Sequence, residues 1–415
     1  MNRAGRQQGG ANPARNDDLR RVLALLGSPE AGSDRSEPPV LWSKSYLRVP
    51  PVGSPKLLLP SDMPEAGAEA LRLWAAAQHR WHRRLAYRLG AACLNIGPLH
   101  QLWPRRWAVT DAVPGRGADS LTTHLATLLG QPVVVAANVG RRDPHQSQLL
   151  IALSRDGKPL AYVKVGWNEL NRRLLDNEAR ALRRVADLRS SSMVTPSVLH
   201  SERWHNLELL LTAPIERRRQ RAASRSEPPA LPITLQVAAT GVRERLPLRQ
   251  SRYWNDLRVR LAAAAESDQQ AAGVLERAVV RLDAAGDREL GFAGWHGDWV
   301  PWNLSYDRNQ LLVWDWEYWS EAAPVGFDIL HFFFGTQFFR GSGNVITAWN
   351  AATVHSRTRL GWLGVDAPGL PLVHALYAME MLLRRLDIRN HGGGGDDDRV
   401  FPQIYSLIDA AVSVV

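Results

Sequence analysis

Apolar residues recur along the chain in two rhythms, and the change of rhythm divides it. Between residues 131 and 214, short aliphatic and β-branched runs alternate with turn signals. Residues 132–137, 148–153, 160–165, 194–199 and 207–212 read as five strands, the second and third joined by the turn Arg155-Asp156-Gly157-Lys158. One helix, predicted over 171–188, falls between the third and fourth strands, giving the order β-β-β-α-β-β. Past Pro214 a basic, proline-containing stretch (216–231) leads into sequence of helical period. It is interrupted by a hairpin over 303–315, turning at Asp307-Arg308-Asn309, and by the break 391–398. That break carries runs of Gly and Asp without the spaced ligands of a calcium loop, and reads as a solvated linker.

Upstream, 45–60 reads as one or two strands and 65–90 as one amphipathic helix. The helix has Leu71, Trp74, Trp81, Leu85 and Leu89 on its apolar face and closes at Gly90. A shorter helix, 121–129, should stop at Gly130. Residues 1–40 are polar apart from the run 19–26 and are expected to form a disordered tail. The expected organisation is therefore a tail (1–40), an N-terminal extension of unassigned role (41–130), a sheet-rich lobe (131–214) and a helical lobe (215–415).

Composition narrows the function classes. The 51 basic and 41 acidic residues leave a net charge of +10. The arginines are dispersed along helical segments with no basic stripe interleaved with aromatics, so nucleic acid is not an expected partner. Membrane-surface contact through the 65–90 helix is the less favoured alternative to docking on a neighbouring lobe. Cys93 is the only cysteine, which excludes an intrachain disulfide and a cysteine-built zinc site. Without a signal-like leader or a spanning apolar stretch, the expected location is the cytoplasm.

The chemistry concentrates in Trp295-His296-Gly297-Asp298-Trp299-Val300-Pro301-Trp302-Asn303, followed by Trp314-Asp315-Trp316-Glu317. Phosphoryl transfer needs a carboxylate to orient and deprotonate a hydroxyl, and hard oxygen ligands to hold Mg²⁺ on phosphates. Asp298 is the candidate base, and Asn303 and Asp315 are the candidate ligands, returned to one end by the hairpin. Glu317 is a candidate for a second ion or a metal-bound water.

The string His296-Gly297-Asp298-x4-Asn303, with Asp315-Trp316-Glu317 and Gly326-Phe327-Asp328-Ile329 downstream, resembles the aminoglycoside phosphotransferase and choline/ethanolamine kinase superfamily. The Asp-Trp-Glu-Tyr run leans toward its choline kinase branch. The resemblance implies an α+β, protein-kinase-like bilobal fold, with a five-stranded antiparallel N-lobe sheet, a mainly helical C-lobe and the N-terminal extension. It implies ATP or GTP and Mg²⁺ as cofactors and a small hydroxyl-bearing substrate. In the catalytic set it makes Asp298 the base and His296 a loop-positioning residue, with Asp328 as structural support. Lys164 on the third strand would contact the α/β-phosphates, paired to Glu178 on the following helix. The run 209–213, with Leu211 and Ala213, would be the hinge that reads the base. The loop 138–146 departs from the family, having Gly140 as its only glycine.

Trp299 and Trp302, flanking the base, are candidates for an acceptor pocket. An aromatic cage for a quaternary ammonium is the weaker reading of the surrounding tryptophans. His200 and His331 read as structural histidines, and Arg217 to Arg219 as a solvated face. Two rival functions stay open: a pseudokinase or scaffold, and a membrane-associated transferase in polymer biosynthesis. The acceptor, the choice between ATP and GTP, and the oligomeric state are open as well.

Overall fold

A computed structural model describes Val22 and Leu26 and residues 41–50, 55–76, 81–95, 106–112, 120–139, 145–215, 220–224, 226–340, 343–393 and 397–415. The chain folds as two compact units, residues 1–167 with 199–214, and residues 168–198 with 215–415.

In the first unit the extension supplies β1 (Leu41–Val49), β2 (Leu57–Pro60), α1 (Pro64–Ala76), α2 (Trp81–Asn95) and β3 (Arg106–Ala112). It is followed by α3 (Leu121–Leu129), β4 (Val134–Asn138), β5 (Gln148–Leu153) and β6 (Pro159–Gly166). The single helix expected over 65–90 is thus two helices, and the second runs through Gly90 to Asn95. One glycine costs a helix only about 1 kcal/mol and did not end this one. By contrast α3 ends as expected, with Ser120 capping Thr123 N–H at its start and Gly130 left-handed (φ 67°) at its end.

The second unit opens with α4 (Glu169–Asp187), where Asn168 and Asn171 form a reciprocal capping box. Next come β7 (Met193–Val194), β8 (Val198–Trp204) and β9 (Leu207–Thr212), the last two reaching back into the first unit. The order in the first unit's sheet is β3-β1-β2-β4-β5-β6-β9-β8, so it has eight strands where five were expected. The extension adds the other three, with β2 pairing Leu57↔Asn138 and Leu58↔Ala137 on β4. The expected fourth strand, 194–199, is also corrected. Met193–Val194 pairs in parallel with Leu311 and Leu312 in the second unit, while the sheet strand starts at Val198.

Strand alternation gives that sheet two buried faces. Leu47, Leu59, Leu71 and Leu94 from the extension pack with Ala136, Ile151 and Leu153 on one face. Val22, Leu26, Leu58, Leu121 and Leu125 pack with Val135, Leu150 and Val163 on the other. Val22 and Leu26, from the expected tail, are helical and buried in this core. The rest of that tail, the glycine-poor residues 140–144 and the Arg217–Arg219 run lie outside the described residues.

The second unit continues with β10 (Gln220–Ala222), α5 (Leu231–Ala238), β11 (Glu244–Pro247), α6 (Arg252–Ser267), α7 (Gln269–Ala284) and β12 (Glu289–Trp295). Then follow β13 (Leu304–Asp307), β14 (Gln310–Val313), β15 (Ser320–Pro324), α8 (Phe327–Arg340), α9 (Val345–Trp362), α10 (Leu370–Asn390) and α11 (Asp397–Ser413). Its helices share one core with the buried face of α4, through Ala181, Leu182 and Val185. Two small sheets carry the candidate chemistry, β10-β13-β14-β7 and β11-β12-β15. No helix among the described residues is long and apolar enough to cross a membrane.

Candidate active site

The strand β12 delivers His296, Gly297 and Asp298 from its C-terminal end. Gly297 is left-handed (φ 89°), and a Cβ there would lie 2.2 Å from Tyr318 O, so only glycine fits this turn. His296 is fully buried and both ring nitrogens face the backbone: Nε2 is 2.9 Å from Trp314 O, and Nδ1 accepts from Asp298 N–H at 3.1 Å. This partner set fixes the Nε2–H tautomer. Burial pushes its pKa down to about 4, so the ring is neutral and holds the loop against the hairpin.

Asp328, at the start of α8, closes the loop from behind. Its carboxylate accepts from His296 N–H at 3.0 and 3.1 Å and from Gly297 N–H at 3.2 Å. Burial pushes its pKa up to about 7 against the pull of those donors and of Arg384. The Arg384 guanidinium, from α10, sits 4.6 Å from the Trp295 ring and 4.4 Å from the Tyr318 ring, and donates to Gly297 O.

Asp298 stands at the tip with 30% of its side chain exposed. Oδ1 is 3.0 Å from His331 Nε2, and Oδ2 accepts from Asn303 Nδ2 at 2.7 Å. Burial alone would raise its pKa, but the hydrogen bond from His331 and the charge of Arg384 hold it below the usual carboxylate range.

Asn303 and Asp315 come to the same end of the hairpin. The register Leu304↔Val313 and the bond from Trp314 N–H to Asn303 O at 3.1 Å place them there. Asn303 Nδ2 also donates to Asp298 O at 3.1 Å, so the amide oxygen is the end offered to a cation. Asp315 has φ 59°, a left-handed conformation that few non-glycine residues adopt and that aspartate tolerates better than most. Asn177 of α4 donates to Glu317 O at 3.0 Å and to Trp319 O at 2.7 Å, tying the segment after Asp315 to the helix that carries Glu178. No group of three His, Cys, Asp or Glu gathers among the described residues. The amide oxygen of Asn303 and the carboxylate of Asp315 are hard oxygen donors, of the kind that suits a cation completing its shell with phosphate and water.

The remaining sequence candidates divide between the units. Lys164 lies in the first unit, on β6 between buried Val163 and Val165, paired to Leu149 and Leu210. Glu178, 4% exposed, belongs to the second unit. Leu211 is inside the ladder opposite Val163, whereas Ala213 lies just beyond the end of β9 and is the better placed to present its backbone. Trp299 is corrected: its side chain is fully buried against His296 and cannot line an acceptor pocket. Trp295 and Trp316 are core residues too, which removes them from any aromatic cage. Trp302 does reach the surface, 38% exposed, edge-on to Phe339 at 5.0 Å.

Sequence reasoning passed over Asn177 and Arg384 and read His331 as a structural histidine. For His331 a signal existed, since a residue three after Asp328 on a helix shares its face.

The chain is similar to small-molecule kinases of known structure. A choline kinase from Streptococcus pneumoniae matches at 13% identity and TM-score 0.46, covering 71% of this chain and 98% of that one. A choline/ethanolamine kinase family protein from Mesorhizobium loti matches at 15% and 0.38, covering 65% and 89%. A spectinomycin phosphotransferase, in complex with ADP and spectinomycin, matches at 14% and 0.37, covering 70% and 96%. No protein-family model and no curated protein matches the chain. Likeness of this degree assigns no residue a role, so the roles below rest on the chain's own side chains.

Proposed function

We propose that the protein is a small-molecule kinase, transferring the γ-phosphoryl group of ATP or GTP to a hydroxyl of a small acceptor. The observation that carries this reading is the Asp298 carboxylate, anchored through both oxygens on a backbone-pinned loop, beside a hairpin that returns Asn303 and left-handed Asp315 together. Mg²⁺, when bound by Asn303 and Asp315, would neutralise phosphate charge, and Glu317 would hold a second ion or a metal-bound water.

A carboxylate held below the usual carboxylate range is a weak proton acceptor, which matches a loose phosphoryl-transfer transition state. Asp298 would orient the acceptor hydroxyl and take its proton late. The acceptor oxygen bonds to the γ-phosphorus, the bond from that phosphorus to the bridging oxygen breaks, and the nucleoside diphosphate leaves. Within the first unit, Lys164 on β6 would contact the α/β-phosphates, and Ala213 would offer backbone groups to the base.

Calorimetric titration of ATP and GTP, with Mg²⁺ and then with EDTA, tests the nucleotide site. Metal-dependent binding that disappears in Asp315→Asn is expected. Absence of binding to either nucleotide would overturn the kinase reading in favour of a scaffold.

A further inference from the structure

One turn beyond Asp328 on α8, His331 turns its ring toward the loop. Nε2 is 3.0 Å from Asp298 Oδ1, and Nδ1 is 2.9 Å from the hydroxyl of Tyr377 on α10. Both side chains are buried, 8% and 0% exposed. Burial raises the Tyr377 pKa well above 10, so its hydroxyl keeps its proton and can donate it to a hydrogen bond. Burial also lowers the His331 pKa, against the pull of the Asp298 hydrogen bond, which leaves the ring neutral with one N–H. A donor at Nδ1 from tyrosine leaves that N–H on Nε2, directed at the carboxylate.

Asn303 holds the other oxygen of Asp298. Two anchors on two oxygens fix the rotation of the carboxylate plane, which a single anchor would leave free. The other charged and titratable groups around the ring are Arg384 from α10 and His296 from the loop itself; neither supplies an anchor to the Asp298 carboxylate oxygens.

We propose that Tyr377 and His331 form a directed hydrogen-bond chain that sets the orientation of the Asp298 carboxylate, making His331 a positioning residue for phosphoryl transfer. The inference rests on the kinase reading above. His331 gains and loses no proton in the cycle, because its Nε2 already carries one and its Nδ1 is occupied by tyrosine.

The test compares wild type with His331→Ala, His331→Gln and Tyr377→Phe, measuring kcat, nucleotide KM and Tm. His331→Ala should lower kcat by about 10 to 100-fold, the scale seen when a group orienting a functional ligand is removed, with nucleotide KM within about twofold because the ground-state phosphate contacts are untouched. His331→Gln restores an N–H donor at similar reach and should recover most of the rate. Tyr377→Phe leaves Nδ1 without its donor while the Asp298 carboxylate still accepts from Nε2–H, and should cost less than His331→Ala. The second readout needs no activity: long-range ¹⁵N–¹H correlations on ¹⁵N-histidine protein should show His331 as the Nε2–H tautomer, with its Nδ1 resonance shifted in Tyr377→Phe by loss of the hydroxyl donor.

An active wild type whose kcat is unmoved in His331→Ala, or a His331 ring in the Nδ1–H form, would overturn the positioning role alone. A wild type that binds nucleotide but transfers nothing would instead remove the kinase reading. If His331→Ala fails to fold, the glutamine and phenylalanine variants decide. Rates equal to wild type in Tyr377→Phe, together with an unshifted His331 Nδ1 resonance, would contradict the chain.

Discussion

Asp315 joins backbone strain and chemistry in one side chain. Its φ of 59° costs an alanine roughly 1–2 kcal/mol, whereas asparagine tolerates the conformation through local hydrogen bonding. Asp315→Asn should therefore melt near wild type and lose Mg²⁺-dependent nucleotide binding, while Asp315→Ala should lose both stability and binding. Thermal melts and calorimetry on the pair separate the two costs; binding retained in Asp315→Asn would remove it from the metal site. Asp328 makes a complementary case. Replacing its carboxylate by alanine leaves the buried N–H groups of His296 and Gly297 without an acceptor, at about 1–3 kcal/mol each. A melting shift of several degrees together with lost activity is expected, and an unshifted melt would contradict the brace.

Elements were legible in the sequence where local signals agree. α3 and β5 have the predicted limits because a serine cap and Gly130 bound one, and an unbroken aliphatic run between turns marks the other. The hairpin β13–β14 turns where expected, with Arg308 left-handed at φ 55°. The loop carrying His296, Asp298 and Asn303 was readable as a string because its members lie close in sequence. What the sequence concealed depends on long-range pairing. β7 joins β14 across more than a hundred residues, and β2 claims the edge of β4, neither of which has a local marker. His331, Tyr377 and Arg384 meet the loop from two distant helices, which no local pattern in the sequence marks.

The edge pairing of β2 leads to a prediction at this scale. Leu58 is fully buried against β4, so Leu58→Ala should cost about 2–5 kcal/mol in a urea melt. Removing residues 1–130 would expose the edge of β4 and both apolar faces, and the fragment is expected to aggregate. A soluble, cooperatively melting fragment would show the extension to be dispensable.

At the scale of the whole molecule, buried histidines make stability depend on pH. His296 and His374 are held neutral, each with a pKa pushed down to about 4 by burial, while their unfolded value is about 6.5. The unfolded chain thus binds more protons between those values. Their stabilisation is complete above pH 6.5 and is lost as pH falls toward 4, at about 1.4 kcal/mol per pH unit for each ring. Asp328, raised to about 7, acts with the opposite sign, so the difference between variant and wild type is the informative quantity. Urea melts from pH 4.5 to 7 should show His374→Gln with a shallower rise than wild type by one proton's worth. Parallel slopes would mean that His374 titrates normally.

The central claim is that Asp298 serves as the base of a phosphoryl transfer, and it is tested most directly by transfer of ³²P from the γ-position of Mg-ATP or Mg-GTP to a panel of amino alcohols, amino sugars and sugars. Wild type should form a labelled small product, and Asp298→Asn, binding nucleotide as tightly, should form it about a thousandfold more slowly. Equal rates in the two proteins, or no labelled product from a wild type that binds Mg-nucleotide, would contradict the account.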